Sequence, residues 1–176
     1  MVYTYHHRFS GASVQVCINI KNFMNLAIEQ AIQASKKGEV PIGAVVCLAS
    51  GDVIGAGHNE TETTNDPSAH AEVVALRRAC QKFSRPRLDG CLLFTTLEPC
   101  AMCADIIAKT RIQTVYLGAL DPKGGALFQG PKLYTHPTCF HKPEVNTDYI
   151  LPECGQMLSD FFRKKRKKKD VNIPCT

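Results

Sequence analysis

Apolar residues recur at three- and four-residue spacing through Met24, Ala27, Ile28, Ala31 and Ile32, which predicts a helix from Asn22 that Gly38 stops. Residues 43–48 then form a continuous valine-rich apolar run, the pattern of a strand covered on both faces. Ser50-Gly51-Asp52 supplies a turn, so residues 53–59 return as an antiparallel partner. Residues 61–65 are polar and read as loop. Asp66-Pro67 carries a helix-start signature, an Asp N-cap with proline at the first helical position. The predicted helix runs to about Cys80, burying Val73, Val74, Leu76 and Ala79, and Arg85-Pro86 breaks it. Another apolar strand is expected at 91–96, a helix from Pro99-Cys100 to before Thr110, and a strand at 113–118. Residues 120–141, rich in Gly, Pro and polar side chains, read as an ordered loop, and 144–146 as a short edge strand. A last helix is expected from Pro152, with Cys154, Met157, Leu158, Phe161 and Phe162 at helical spacing. Residues 1–21 show no sustained period and are expected to be an irregular extension.

The order α-β-β-α-β-α-β describes an α/β protein with helices packed on a mixed sheet. Its strand–helix–strand unit over 91–118 is expected to be a right-handed crossover between parallel strands. At 176 residues the chain suits one domain with a real core. No apolar run approaches the roughly 20 residues of a membrane span. The first residues lack an apolar segment followed by a small-residue cleavage site, so export is not expected. Nine scattered cysteines, an odd number, then read as reduced thiols in a cytoplasmic protein.

Net charge is +5, but Arg163, Lys164, Lys165, Arg166, Lys167, Lys168 and Lys169 lie in one run. Outside those seven residues, 14 Lys+Arg face 16 Asp+Glu, so the body carries −2 and the basicity is confined to one tail. Such a run is a solvated helix end, a nuclear-localisation signal or a surface for polyanions.

Two short stretches carry the chemistry: His70-Ala71-Glu72 and Pro99-Cys100-Ala101-Met102-Cys103. One imidazole and two thiolates make three protein ligands for zinc, and a catalytic site keeps the fourth tetrahedral position for water. The metal lowers that water's pKa towards neutrality. Glu72, two residues beyond the His, is placed to move protons. The pattern H-x-E…P-C-x-x-C is the signature of the zinc deaminases. A lone C-x-x-C also suits a redox pair or half a structural zinc site. A redox pair leaves the upstream H-x-E unexplained, and a zinc ribbon needs a second C-x-x-C, which is absent.

With these residues in view, the sequence resembles the bacterial tRNA-specific adenosine deaminases, the TadA family of the cytidine-deaminase-like superfamily. The resemblance runs from about Phe23 to Lys165. It is carried by Glu39-Val40-Pro41-Ile42-Gly43-Ala44-Val45, by Asn59, and by Asp66-Pro67-Ser68-Ala69-His70-Ala71-Glu72. Thr96-Leu97-Glu98-Pro99-Cys100-Ala101-Met102-Cys103 follows. The zinc motif marks only the superfamily, so a deaminase of a free nucleobase or nucleoside, of guanine or cytosine type, is the alternative reading. Residues 118–126 (GALDPKGGA) and Ser159-Asp160-Phe161-Phe162-Arg163 point to the tRNA branch.

The resemblance implies a three-layer α/β/α cytidine-deaminase-like fold with a mixed central sheet of about five strands. It implies deamination of the wobble adenosine of a tRNA anticodon stem-loop to inosine by a homodimer with one Zn2+ per subunit. His70, Cys100 and Cys103 are then the zinc ligands and Glu72 the proton shuttle. Asn59 and the backbone of Ala71 hold the purine, Pro41, Ile42 and Leu97 line its pocket, and Asp121 lies near the flanking nucleotide. Phe161, Phe162, Arg163, Lys164 and Lys165 flank the RNA backbone. The expected organisation is an extension at 1–21, a zinc deaminase domain at 22–163 and a basic tail at 164–176. Residues 128–141 depart from the family's usual composition, and His136 and His141 there read as ordinary polar loop residues.

Overall fold

The computed structural model describes residues 3–9 and 12–171. Residues 172–176 of the expected basic tail, and 1–2 and 10–11 of the expected extension, lie outside the described residues.

The apolar runs form the sheet. β3 (Gly43–Cys47), β4 (Val53–His58), β5 (Leu92–Thr95), β6 (Thr114–Leu117) and β7 (Glu144–Asn146) pair in the order β4-β3-β5-β6-β7. β3 is antiparallel to both β4 and β5, whereas β5, β6 and β7 run parallel, so the sheet is mixed. Successive side chains of a strand face opposite ways. Ala44, Val46, Leu93, Val115 and Leu117 therefore enter one core with Ala71, Ala75, Leu76 and Ala79 of α3 (Ala71–Phe83) and with Ala104 and Ile107 of α4 (Ala101–Lys109). Val45, Cys47, Leu92, Phe94 and Tyr116 enter a second core with Ile20, Phe23, Met24 and Ala27 of α1 (Ile20–Lys36). Two covered faces explain why β3 and β5 read as unbroken apolar runs. The fold is the expected three-layer α/β/α sandwich on five strands.

Three local readings are corrected. Residues 3–18 are not irregular: β1 (Tyr3–Phe9) and β2 (Ala12–Ile18) form an antiparallel hairpin from Tyr3 opposite Ile18 to Phe9 opposite Ala12. Its signal is the alternation Ala12, Val14, Val16, Ile18, a period of two in place of the helical one. Residues 61–65 include a one-turn helix, α2 (Thr61–Thr64), closed by Asn65 in the left-handed conformation. Asp66 does not cap α3. Its carboxylate accepts from the Ser68 N–H (2.8 Å) and hydroxyl (2.6 Å), closing a tight turn, and α3 starts five residues later with His70 as N-cap. Short polar side chains compete in this way between local turns and helix caps.

α5 (Pro152–Val171) carries the basic run without a break. Among the described residues no helix is long and apolar enough to cross a membrane. The seven cysteines whose side chains are described are all free thiols.

Glycines on β4 set how closely α3 can approach. A Cβ at Gly57 would lie 2.6 Å from the Ala75 nitrogen and 2.8 Å from the Ala71 carbonyl oxygen, and one at Gly55 would lie 2.3 Å from the Ala75 oxygen. These obstacles are backbone atoms of the helix that begins at His70, and backbone cannot swing aside. Gly57→Ala is therefore expected to destabilise the fold by about 2 kcal/mol. It should also weaken metal retention by displacing the first turn of α3. Urea titration and metal analysis of the purified variant check both effects.

Candidate active site

Two helix starts meet beyond the end of β5. His70 is the N-cap of α3, Cys100 is the N-cap of α4, and Cys103 lies in the first turn of α4. His70 Nδ1 is 3.7 Å from Cys100 Sγ and 3.6 Å from Cys103 Sγ, and one donor atom from each residue lies within 4.8 Å of the others. A tetrahedral zinc with Zn–S and Zn–N bonds of ordinary length separates its sulfur and nitrogen ligands by about 3.6 Å. The donor set and its spacing therefore fit zinc, with a fourth direction left over.

The protonation of the cluster follows from its contacts. Hydrogen bonds from Cys103 and His70 pull the Cys100 thiol down to about 4, so Cys100 carries the negative charge. The same bond to Cys100, together with burial, raises Cys103, while the bond to Cys100 raises His70. Helix N-termini favour thiolates. A divalent cation at the centre would deprotonate both sulfurs. Glu72 is 3% exposed, and burial raises its carboxyl above the ordinary value.

The other expected site residues fall into two walls. Pro41 and Ile42 lead into β3, and the Ile42 carbonyl accepts from the backbone N–H of Asn59 (3.2 Å). Asn59 is buried and its amide nitrogen donates to the Thr61 hydroxyl (3.2 Å), while Ala71 is buried as the first residue of α3. Leu97 and Asp121 line a cavity of about 650 Å³ with Leu120, Pro122, Phe162 and Arg166. None of His70, Cys100 and Cys103 lines that cavity. Pro41 shares a second cavity, of about 330 Å³, with Phe161 and Lys164. α5 thus sends its two adjacent phenylalanines into separate cavities. Lys165 stands over the Phe161 ring at 5.7 Å, and Arg163 pairs with Asp160 at 2.7 Å on the exposed face. The loop over residues 128–141 is pinned by two hydrogen bonds: the Tyr134 hydroxyl donates to the Ala104 carbonyl (3.1 Å), and His141 Nε2 donates to the Ile112 carbonyl (2.6 Å). His136 is exposed, and its Nδ1 lies 2.8 Å from the Thr138 hydroxyl.

These features define a deaminase, and comparison with known proteins agrees. The MafB19-like deaminase family model matches residues 18–166. The tRNA-specific adenosine deaminase of Agrobacterium fabrum is 46% identical over 145 residues, 82% of this chain and 95% of that protein. That of Bacillus subtilis is 44% identical over 147 residues, 84% and 91% of the two chains. A structure from work on A-to-I editing by tRNA:A34 deaminases at the wobble position of transfer RNA superposes with a TM-score of 0.76, at 44% identity, over 78% of this chain and 99% of that one. The guanine deaminase of Bacillus subtilis superposes with a TM-score of 0.57, at 32% identity, over 84% and 94% of the two chains. The chain belongs to the MafB19-like deaminase family and, with these relatives, to the tRNA-specific adenosine deaminases.

One residue that sequence reasoning left without a role is Glu98, two positions before Cys100. It is 2% exposed, and its carboxylate accepts from three backbone N–H groups: Asp121 (3.1 Å), Leu127 (3.0 Å) and Phe128 (2.9 Å). Gly125 makes room for it, since a Cβ there would lie 2.4 Å from the Glu98 carboxyl carbon. The loop carrying Asp121 is thereby hung on the segment that delivers Cys100. The available signal is an acid between an apolar strand and a Pro-Cys, where burial requires donors. Glu98→Ala orphans three N–H groups and is expected to cost about 3 kcal/mol of stability. A lower urea midpoint at unchanged slope checks it.

Proposed function

We propose that the chain deaminates adenosine to inosine at the wobble position of a tRNA anticodon stem-loop, using one zinc ion per subunit, as a cytoplasmic homodimer. The observation that carries the chemistry is the convergence of His70, Cys100 and Cys103 at two helix starts beside the buried Glu72. The relatives supply the substrate class. Residues 22–163 form the catalytic domain in this reading, 1–21 an extension and 164–176 a basic tail.

His70, Cys100 and Cys103 would hold zinc, which would supply an activated water as nucleophile. The chain's own groups do the remainder. Asn59 and the backbone of Ala71 hold the edge of the flipped-out base, while Pro41, Ile42 and Leu97 give it dry apolar walls. Glu72 receives a proton from the attacking water and delivers it to the purine ring, then passes the second to the departing amino group. The water oxygen replaces the amino nitrogen at C6, and ammonia leaves. A carboxyl raised by burial suits this work, because it holds a proton more readily than an ordinary carboxylate and can still release it.

Asp121 lies beside the nucleotide flanking the target, and Phe161, Phe162, Arg163, Lys164 and Lys165 follow the RNA backbone. A near-neutral body with one basic helix gives phosphate attraction a defined place.

The test pairs the zinc-loaded wild type with Glu72→Gln on a stem-loop bearing adenosine at the wobble position, beside free guanine, cytosine and adenosine. The wild type should form inosine at that one position. Glu72→Gln should keep its zinc and lose activity by about 10³-fold. Ammonia from free guanine alone would overturn the tRNA assignment.

Removing residues 163–176 takes away seven basic residues. Stem-loop affinity should fall, and the slope of log K against log salt should flatten by roughly 0.7–0.9 for each phosphate that those residues neutralise. Fluorescence anisotropy across a salt series measures it.

A further inference from the structure

Glu39 is the second buried acid that the catalytic reading does not use. It is 0% exposed, at the junction between α1 and β3. One carboxylate oxygen accepts from the Thr63 backbone N–H at 2.7 Å and the Thr63 hydroxyl at 2.8 Å. The other accepts from the Thr61 hydroxyl at 3.2 Å. Burial alone would raise the carboxyl, but these bonds together outweigh it and hold Glu39 below its ordinary value, so it stands ionised.

The consequence reaches Asn59 by counting hydrogens. A hydroxyl has one hydrogen to give, and an ionised carboxylate can only accept. The Thr61 hydrogen therefore goes to Glu39, and Thr61 turns a lone pair towards Asn59. The Asn59 atom facing it, at 3.2 Å, must be the donor nitrogen. An Asn amide has two ends of equal shape and opposite polarity, and hydrogen-bond context decides between them. Here the decision is made at Glu39, twenty residues away in sequence.

We propose that Glu39, acting through the Thr61 hydroxyl, fixes the orientation of the Asn59 amide and with it the donor and acceptor pattern offered to the target base. Glu39 and Thr61 are positioning residues, and the base contact belongs to Asn59. The proposal rests on the reading that Asn59 binds the base. The one-turn helix α2, which follows Asn59 in the chain, holds Thr61 and Thr63 on the same carboxylate. A polar loop without that turn would leave the amide free to flip, at a cost in productive alignment.

The experiment is a double-mutant cycle on kcat/KM with the zinc-loaded full chain and the wobble-adenosine stem-loop. Thr61→Val should lower kcat/KM about tenfold, and Thr61→Ser, which keeps the hydroxyl, should restore it to within about twofold. In an Asn59→Ala background Thr61→Val should add less than about twofold, because the amide it orients is gone. Thr61→Ala replaces the valine variant if the latter does not fold, and zinc content and melting temperature are recorded for every protein. Wild-type activity in Thr61→Val overturns the proposal, as does an undiminished tenfold loss in the Asn59→Ala background. Wild-type activity of Asn59→Ala alone overturns it on separate ground, by removing the base contact while leaving inosine formation intact.

Discussion

Everything in this fold answers to one requirement: an imidazole, two thiols and a carboxyl must be held together at the edge of an apolar core. Isolated polar groups taken from water are costly, and the cost is offset only where each group has a partner. Here the partners are one another and the starts of two helices. A helix start supplies unpaired N–H groups and a positive dipole end, both suited to thiolates. For two such starts to meet within about 4 Å, the helices must lie on the same sheet face with little freedom to slide. The glycines of β4 against α3, and the shared core under α3 and α4, impose that closeness.

Two buried glutamates extend the same logic to the walls. Glu98 takes three N–H groups from the loop carrying Asp121, and Glu39 takes two hydroxyls and one N–H around α2. Neither forms an ion pair among the described residues; each is satisfied by neutral donors, and charge-assisted bonds of this kind are stronger than neutral ones. One braces the loop carrying Asp121 and the other the segment that follows Asn59. Flexible loops become rigid surfaces where a buried charge leaves their backbone no alternative acceptor.

Much of this was legible in the residues. Continuous apolar runs announced strands covered on both faces, and H-x-E with P-C-x-x-C pointed to His70, Cys100 and Cys103, which the fold brings together. The failures were also physical. The hairpin at 3–18 shows a period of two, but it forms a two-stranded sheet of its own, apart from the five strands whose signals support one another. Asp66 satisfied a turn with Ser68 although its context matched a helix cap. Glu39 and Glu98 stood in recognisable stretches, yet their partners lie 22 to 30 residues away, and nothing local reveals which N–H a carboxylate will find. Asn59 was legible as a residue, whereas the direction of its amide depends on Thr61 and Glu39.

α5 completes the division of labour. Phosphate contacts position a nucleic acid without reading it, while contacts to a base edge read it. In the proposed reading the basic run supplies charge of the first kind, on a helix whose Phe161 and Phe162 line the cavities shared with Pro41 and with Leu97 and Asp121. Attraction and selection are thereby set on different physical terms within one surface. Salt should weaken the first strongly, because exposed charges are screened. The part-buried hydrogen bonds around Asn59 are less open to screening and should hold their geometry across the same range. Raising ionic strength should therefore reduce how much RNA is bound more than which base is accepted.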